Sequence, residues 1–166
     1  STENGLPGNE IYGMVQDHKG TVWISTGNGP CGYTGTEWIT WKWLPSMKRS
    51  GEVYSIFDDE NGHIWASTIT GVSRFDGSRW DMLMDYPVPQ FQGYTPAGPF
   101  IKDAESRIWV GLAYSNGPLS RCIGGMSRWE NPGWMGYSWN NLDFRGGFVR
   151  AFLVDRNGLL WAGMEG

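Results

Sequence analysis

The same short pattern occurs four times along this chain: an aspartate is followed, six residues later, by a tryptophan. The pairs are Asp17 with Trp23, Asp59 with Trp65, Asp103 with Trp109, and Asp155 with Trp161. Successive aspartates lie 42, 44 and 52 residues apart, which is the period of a repeat built from one small supersecondary unit. Such a repeat constrains the architecture strongly, because each unit must pack its apolar face against a copy of itself.

Each unit predicts four short strands. The first strand is the apolar run Ile11–Val15, Val53–Phe57 or Val149–Val154, and a turn of the form Asp-x-x-Gly follows it. The second strand carries the repeat tryptophan. The third strand ends on an aromatic residue, and the fourth begins on a tryptophan five residues later: Tyr33 and Trp38, Phe75 and Trp80, Trp129 and Trp134. In the third unit Ser106 replaces the turn glycine, so we expect some backbone strain or a different turn there.

Four-stranded antiparallel units that repeat in this way predict an all-β chain, an arc of a β-propeller. We expect one propeller region over residues 1–166, with blades at about residues 9–44, 51–84 and 96–140 and half of a fourth at 147–166. A β-sandwich is the structural alternative, but it gives no reason for a recurring Asp-x5-Trp pattern. No segment shows helical periodicity over more than two turns, which excludes a helical solenoid.

Composition and charge argue against several classes of function. The net charge is −4 and no Lys/Arg cluster occurs, which argues against a nucleic-acid partner. No run approaches the ~20 apolar residues of a membrane helix, so we expect no membrane insertion. Ser1 opens directly into turn-like sequence, without the pattern of a targeting segment. Cys31 and Cys122 lack metal-ligand spacing, and a disulfide between them requires two blades to bring them together. No motif predicts a metal or a cofactor.

Several of these segments resemble the two-component regulator propeller repeat. Gly5-Leu6-Pro7 opens the first unit, Trp23–Thr26 and Trp65–Thr68 fit the second strand, and Gly71–Gly77 fits the third strand with its Asp-Gly turn. The resemblance implies a periplasmic or extracellular sensor region, and a propeller that closes with six to eight blades. The remaining blades are then expected from a longer chain or from self-association.

Loop lengths predict which edge of the blades binds. The intervals from Asp to Trp and from the third-strand aromatic to the fourth-strand Trp never change, and both lie on one edge, the constant rim. The intervals on the opposite edge, the variable rim, do change: one is 10, 10 and 20 residues, the other 15, 17 and 15. Length variation on a rigid scaffold is typical of a binding surface. We therefore expect a ligand near the loops Leu112–Gly125 and Asp85–Gly98.

Seven residues are the candidate ligand contacts, because they combine aromatic or cationic groups with places on that rim. They are Tyr12, Trp43, Tyr54, Tyr94, Tyr114, Trp139 and Arg150. Tyr12, Tyr54 and Arg150 share one register at the start of the first strands, where a central channel would open. Such groups suit a small polar or anionic ligand, a glycan or a protein partner. The alternative is that these residues only pack on loops or hold channel water.

The sequence favours a non-catalytic recognition module, of a ligand-sensing or protein-binding kind, and predicts no catalytic residue. Its two histidines, His18 and His63, fall on the constant rim. A carbohydrate-binding propeller is the first alternative. The second is an enzyme similar to the streptogramin lyases, which would need a histidine or a carboxylate pair on the ligand face.

Overall fold

The computed structural model of this chain describes residues 1–47, 51–68, 70–85, 94–95, 98–114, 125–138 and 148–165. Within them the fold is all-β: fifteen strands and one short 3-10 turn, Thr2–Asn4. No helix in the described segments is long and apolar enough to cross a bilayer. The chain divides into two compact units, Ser1–Asp85 and Tyr86–Gly166.

The first unit holds two antiparallel sheets of four strands, each a meander in which consecutive strands pair. The first sheet contains β1 (Ile11–Gln16), β2 (Val22–Thr26), β3 (Gly29–Tyr33) and β4 (Trp38–Thr40). The second sheet contains β5 (Val53–Asp58), β6 (Ile64–Thr68), β7 (Gly71–Phe75) and β8 (Trp80–Asp85). These strands follow the pattern read from the sequence to within a residue or so at each end.

The second unit holds a third sheet and a two-stranded half-sheet. The third sheet contains β10 (Phe100–Lys102), β11 (Ile108–Tyr114), β12 (Gly125–Glu130) and β13 (Gly133–Ser138), with the two-residue β9 (Tyr94–Thr95) paired to the end of β11. The half-sheet contains β14 (Val149–Val154) and β15 (Leu160–Met164). Three meanders and a two-strand fragment of a fourth match the predicted architecture.

The four Asp-x5-Trp segments adopt one conformation. In each, Oδ1 of the aspartate accepts hydrogen bonds from the backbone N–H groups two and four residues later, as Asp17 does from Lys19 and Thr21 at 2.9 Å. Oδ2 accepts a hydrogen bond from the indole Nε1 of the repeat tryptophan, at 2.8, 3.2, 2.7 and 2.9 Å in chain order. The fixed spacing of six residues therefore reflects a direct side-chain bond as well as a turn.

The turn requires a left-handed backbone at its fourth residue. Gly20, Gly62 and Gly158 have φ of 87°, 91° and 81°, and Ser106, at the same place in the third sheet, has φ of 63°. A side chain in this region is disfavoured by contact between its Cβ and the backbone. Of the two outcomes expected at Ser106, the structure shows the same turn, with the serine held in the left-handed conformation that glycine adopts in the other sheets.

The core of the first unit lies between its two sheets. Trp23 of the first sheet packs against Ile56, Ile64 and Trp80 of the second, together with Leu44 from the connection. Ring contacts continue this core, because Trp23 lies 5.4 Å from Phe75 and 6.3 Å from Trp80 between centroids.

A buried polar network fixes the connection between the first two sheets. The carbonyl oxygen of Ser46 accepts hydrogen bonds from the hydroxyls of Thr68, at 2.7 Å, and Thr70. Oγ of Ser73 donates to Oγ of Ser46 at 2.8 Å and accepts from the Ser46 N–H at 3.2 Å. Because these polar groups are buried and paired with one another, the connection is held in a single position.

A tryptophan that recurs at the same place in every unit predicts a packing role, and three of the four at the second-strand position are buried. Trp23, Trp65 and Trp109 are 5%, 1% and 8% exposed, whereas Trp161 in the half-sheet is 59% exposed. The mostly apolar sequences of the first strands predict that these strands are covered on both faces. That holds better for β5 than for β1, where Met14 is 65% exposed on the side turned away from the second sheet.

Candidate functional site

Two of the predicted ligand contacts lie together in the first unit. Tyr12 on β1 and Tyr54 on β5 contact each other with ring centroids 5.3 Å apart. Each phenol donates a hydrogen bond to the glutamate two residues before it: Tyr12 to Glu10 Oε2 at 3.2 Å, and Tyr54 to Glu52 Oε2 at 3.1 Å. Residues i and i+2 of a strand share a face, so the Glu-x-Tyr spacing produces this pairing. We call these four residues the Glu–Tyr cluster.

The cluster carries negative charge at an aromatic surface. Burial and the hydrogen bond to Glu52 raise the pKa of Tyr54 to about 12, and burial and Glu10 raise that of Tyr12. Both phenols are therefore protonated and act as donors to the carboxylates at neutral pH. Tyr12 is 41% exposed, so part of the aromatic surface is open to a ligand. Two carboxylates favour a ligand that donates hydrogen bonds or carries positive charge, and disfavour the anionic ligand considered from sequence.

A glycine keeps the space beside this cluster open. Gly27 donates its N–H to the Glu10 carbonyl at 3.1 Å, and a Cβ at Gly27 would lie 3.2 Å from Glu10 Oε2. In the half-sheet Glu165 takes the equivalent place and donates its N–H to the Phe148 carbonyl at 2.9 Å. The first sheet and the half-sheet thus both place a carboxylate beside the start of their first strand. In the first sheet it belongs to Glu10, just before β1, and in the half-sheet to Glu165, just after β15.

Arg150 lies in the second unit, where its guanidinium is already engaged. Its Nε donates to Glu165 Oε2 at 2.8 Å, and its Cζ lies 5.4 Å from the centre of the Phe148 ring. The side chain is 65% exposed, so water screens this ion pair.

Three of the remaining candidates, Trp43, Tyr94 and Tyr114, lie in the described part of the chain. Trp43 is 64% exposed after β4, as a surface contact residue would be. The backbones of Tyr94 and Tyr114 pair directly between β9 and β11. Trp139, residues 86–93 and 115–124, and Cys122 lie outside the described residues. Cys31 is buried, which raises the pKa of its thiol to about 11.

Both histidines lie on the constant rim, as expected. His63 Nδ1 is 2.9 Å from Asp59 Oδ2, the oxygen that also accepts the Trp65 indole N–H. His18 lies in the equivalent turn of the first sheet, beside Gly62. Within the described segments no three His, Cys, Asp or Glu side chains form a group able to hold a metal ion.

Two features escaped the sequence analysis. One is the Asp–Trp hydrogen bond, whose only signal was the constant interval of six residues. The other is the packing role of Trp41. Trp41 stacks on Trp23 with centroids 5.1 Å apart, and Tyr137 contacts Trp109 at the same 5.1 Å in the third sheet. Both residues follow the fourth-strand tryptophan by three positions, which was the available signal.

Comparison with known proteins extends this description. Residues 5–28 and 48–70 match the family described as two component regulator propeller. No curated protein sequence matches the chain.

Three solved structures from B. thetaiotaomicron share the fold. The extracellular domain of BT4673, described as a hybrid two component system, has a TM-score of 0.75 at 16% identity, covering 96% of this chain and 21% of that one. An extracellular domain of BT4673 described as a one component system has a TM-score of 0.64 at 20% identity, covering 96% and 22%. The extracellular domain of BT3049, described as a hybrid two component system, has a TM-score of 0.57 at 16% identity, covering 99% and 28%. This chain therefore spans less than a third of the length of each.

Proposed function

We propose, from the premise that this chain is built of two-component regulator propeller repeats, that it is a recognition module of an extracellular or periplasmic sensor and takes no part in catalysis. The observation that carries the proposal is the Glu–Tyr cluster, in which two blades present the same acid–aromatic pair side by side. A repeated polar group that is partly exposed at the edge of a rigid sheet is typical of binding rather than packing.

The chemistry of the cluster defines the ligand class. The tyrosine rings offer an apolar face, and the glutamates accept hydrogen bonds. A polar ligand with hydroxyl or amine donors on an apolar frame satisfies both.

A glycan is the specific candidate within that class, because sugars combine apolar ring faces with hydroxyl donors. Trp43, 64% exposed, supports it as a second stacking surface. A protein partner is the other occupant considered from sequence, and the lyase alternative lacks support, because both histidines lie on the constant rim. Further blades of the propeller would come from a longer chain or from another copy.

The test is a thermal-shift screen of neutral oligosaccharides and small amines, followed by calorimetry on each ligand that stabilises the chain. Glu52→Gln keeps the size of the side chain and removes its charge, and Tyr54→Phe removes only the donor. We expect Glu52→Gln to weaken binding about tenfold or more, because a hydrogen bond to a charged group contributes roughly 1.5–3 kcal/mol. Tyr54→Phe should weaken binding less, because it removes only the phenol that holds the Glu52 carboxylate in place. Trp43→Ala should weaken glycans specifically.

Glu37→Gln is the matched control, since Glu37 is exposed on the constant rim and should not affect binding. Full affinity in Glu52→Gln and Tyr54→Phe would remove the cluster as the site. Ligands that bind equally well to Trp43→Ala and Trp139→Ala would remove the glycan interpretation in favour of a ligand held by the cluster alone.

A further inference from the structure

An arginine lies over the repeat tryptophan in two of the sheets. Arg74 is directly opposite Trp65 in the second sheet, with its Cζ 5.7 Å from the ring centre. Arg128 is directly opposite Trp109 in the third sheet, 5.3 Å from its ring and 5.6 Å from the ring of Tyr137. These distances are typical of cation–π contacts, so the repeat includes a guanidinium at this place.

The first sheet has the aromatic surface without the arginine. Gly32 is the residue opposite Trp23, and Trp41 lies against Trp23 as Tyr137 lies against Trp109. A Cβ at Gly32 would face Thr21 and Trp23. Both of these residues, together with Trp41, line a pocket of about 230 Å³ between the first and second sheets. The pocket opens on the constant rim, away from the Glu–Tyr cluster.

The pocket carries a net negative lining. Phe75 provides a third aromatic wall, and Asp58 lies on the opposite sheet, only 8% exposed. Asp58 Oδ1 accepts the N–H of Glu60 at 3.0 Å, and no cationic side chain of the described residues pairs with this carboxylate. Asp17 also lines the pocket, but both of its oxygens already accept hydrogen bonds.

Two basic side chains lie at the same pocket and must be weighed against Asp58. His18 and Lys19 line it, and both are exposed in the turn after β1. An exposed lysine has a flexible stem and a hydrated head, so its repulsion of a bound cation is screened. The nearly buried Asp58 is screened less and has the larger effect on a charged ligand.

We propose that this pocket binds the guanidinium group of a small organic cation, in the place that Arg74 and Arg128 occupy in their own sheets. A guanidinium is planar, weakly hydrated and stacks on aromatic rings, whereas an ammonium is compact and strongly hydrated. The volume is below that of pockets for whole drug-sized ligands, and fits a head group of side-chain size. This site is separate from the Glu–Tyr cluster and does not depend on the function proposed for it.

The experiment uses n-propylguanidine as the probe and n-butylammonium as the matched cation. Binding to the chain is measured by calorimetry at low salt, and the indole N–H signals of Trp23 and Trp41 are followed by NMR. We expect saturable binding of the guanidinium, weaker binding of the ammonium, and shifts at these indoles. Asp58→Asn keeps the oxygen that accepts from Glu60 and should weaken binding about tenfold or more.

Gly32→Arg supplies the missing guanidinium within the chain and should abolish binding. A Cβ at Gly32 would lie 3.2 Å from Thr21 Cγ2, so the substitution needs only a small shift. Lys19→Ala should bind as well as wild type or better, and Tyr54→Phe should bind unchanged, which separates this site from the cluster.

The proposal is wrong if the guanidinium does not bind, if it binds no better than the ammonium, or if Asp58→Asn retains wild-type affinity. Circular dichroism establishes that each variant is folded. Should Gly32→Arg fail to fold, the comparison of the two cations and the Asp58→Asn variant decide the question without it.

Discussion

The aspartates of the repeat accept hydrogen bonds with both carboxylate oxygens, from the turn and from other side chains. Asp59 accepts backbone N–H groups from Asn61 and His63 through Oδ1, and the side chains of Trp65 and His63 through Oδ2. Burial alone would raise its pKa, but these hydrogen bonds to the ionised form outweigh burial, and the pKa lies below its ordinary value. The same balance lowers the pKa of Asp17 and Asp103. The ionised carboxylate is thus part of the folded state.

Replacing one of these carboxylates tests its contribution to stability. Asp59→Asn keeps an oxygen for the backbone N–H groups, but places an amide against the indole of Trp65. We expect a loss of at least about 1.5–3 kcal/mol in the free energy of unfolding, measured by urea denaturation at pH 7, since the hydrogen bond from the Trp65 indole to a charged oxygen is removed. Asp81→Asn is the control, because Asp81 pairs with Arg79 at an exposed place and its loss should be small.

The pH dependence follows from the direction of the pKa shift. A carboxyl whose pKa is lower in the folded state stabilises the fold at pH values above its pKa in the unfolded chain, which is ~3.9. This stabilisation is lost as the pH falls through the pKa of the folded state. The difference between wild type and Asp59→Asn should therefore shrink as the pH is lowered below 4. An equal difference at pH 7 and pH 3 would contradict the assignment of the ionised form.

At the scale of the strand and turn, the third sheet differs from the others at Ser106. Its φ of 63° is a strained conformation for serine and an ordinary one for glycine. Ser106→Gly should raise the free energy of unfolding by about 0.5–1 kcal/mol, because relief of ~1–2 kcal/mol of strain exceeds the added entropy of the unfolded chain. The reverse change, Gly62→Ser at φ 91°, should lower it, and both are measured by thermal unfolding. A destabilised Ser106→Gly would show that the serine makes a compensating contact.

Most of the strands and turns could be predicted from the sequence because the same intervals recur along the chain. The strand starting at Ile11, the turn at Asp17 and the pairing of Tyr33 with Trp38 all follow from constant intervals. The pairing of Tyr12 and Tyr54 with carboxylates could also have been predicted, since Glu and Tyr two residues apart share a strand face. The guanidinium site proposed at the pocket could not be predicted, because it rests on Gly32 lying opposite Trp23 on the neighbouring strand. Only the register of β2 with β3 brings out that difference from Arg74.

At the scale of the whole molecule, the half-sheet exposes a face that is buried elsewhere. Trp161 and the residue opposite it, Leu153, are 59% and 62% exposed, whereas Trp23 on the same face of the first sheet is 5% exposed because the second sheet covers it. The second sheet covers Trp23 with a face that includes Ile56, and Met14 holds the place of Ile56 in the first sheet. Met14 is exposed, so each copy of the chain carries both members of this contact.

Faces that are complementary but different join copies head to tail. We therefore expect the 166-residue chain to associate with itself as its concentration rises into the micromolar range, as measured by sedimentation velocity. Burying Trp161 and Leu153 would contribute roughly 1.5–3 kcal/mol each, so a charge in either face should weaken association strongly. Leu153→Lys and Met14→Lys should both shift the chain toward monomer. Met82→Lys, at an exposed apolar position on β8, should not. If Leu153→Lys and Met14→Lys both associate as strongly as the wild-type chain, the contact lies on another surface.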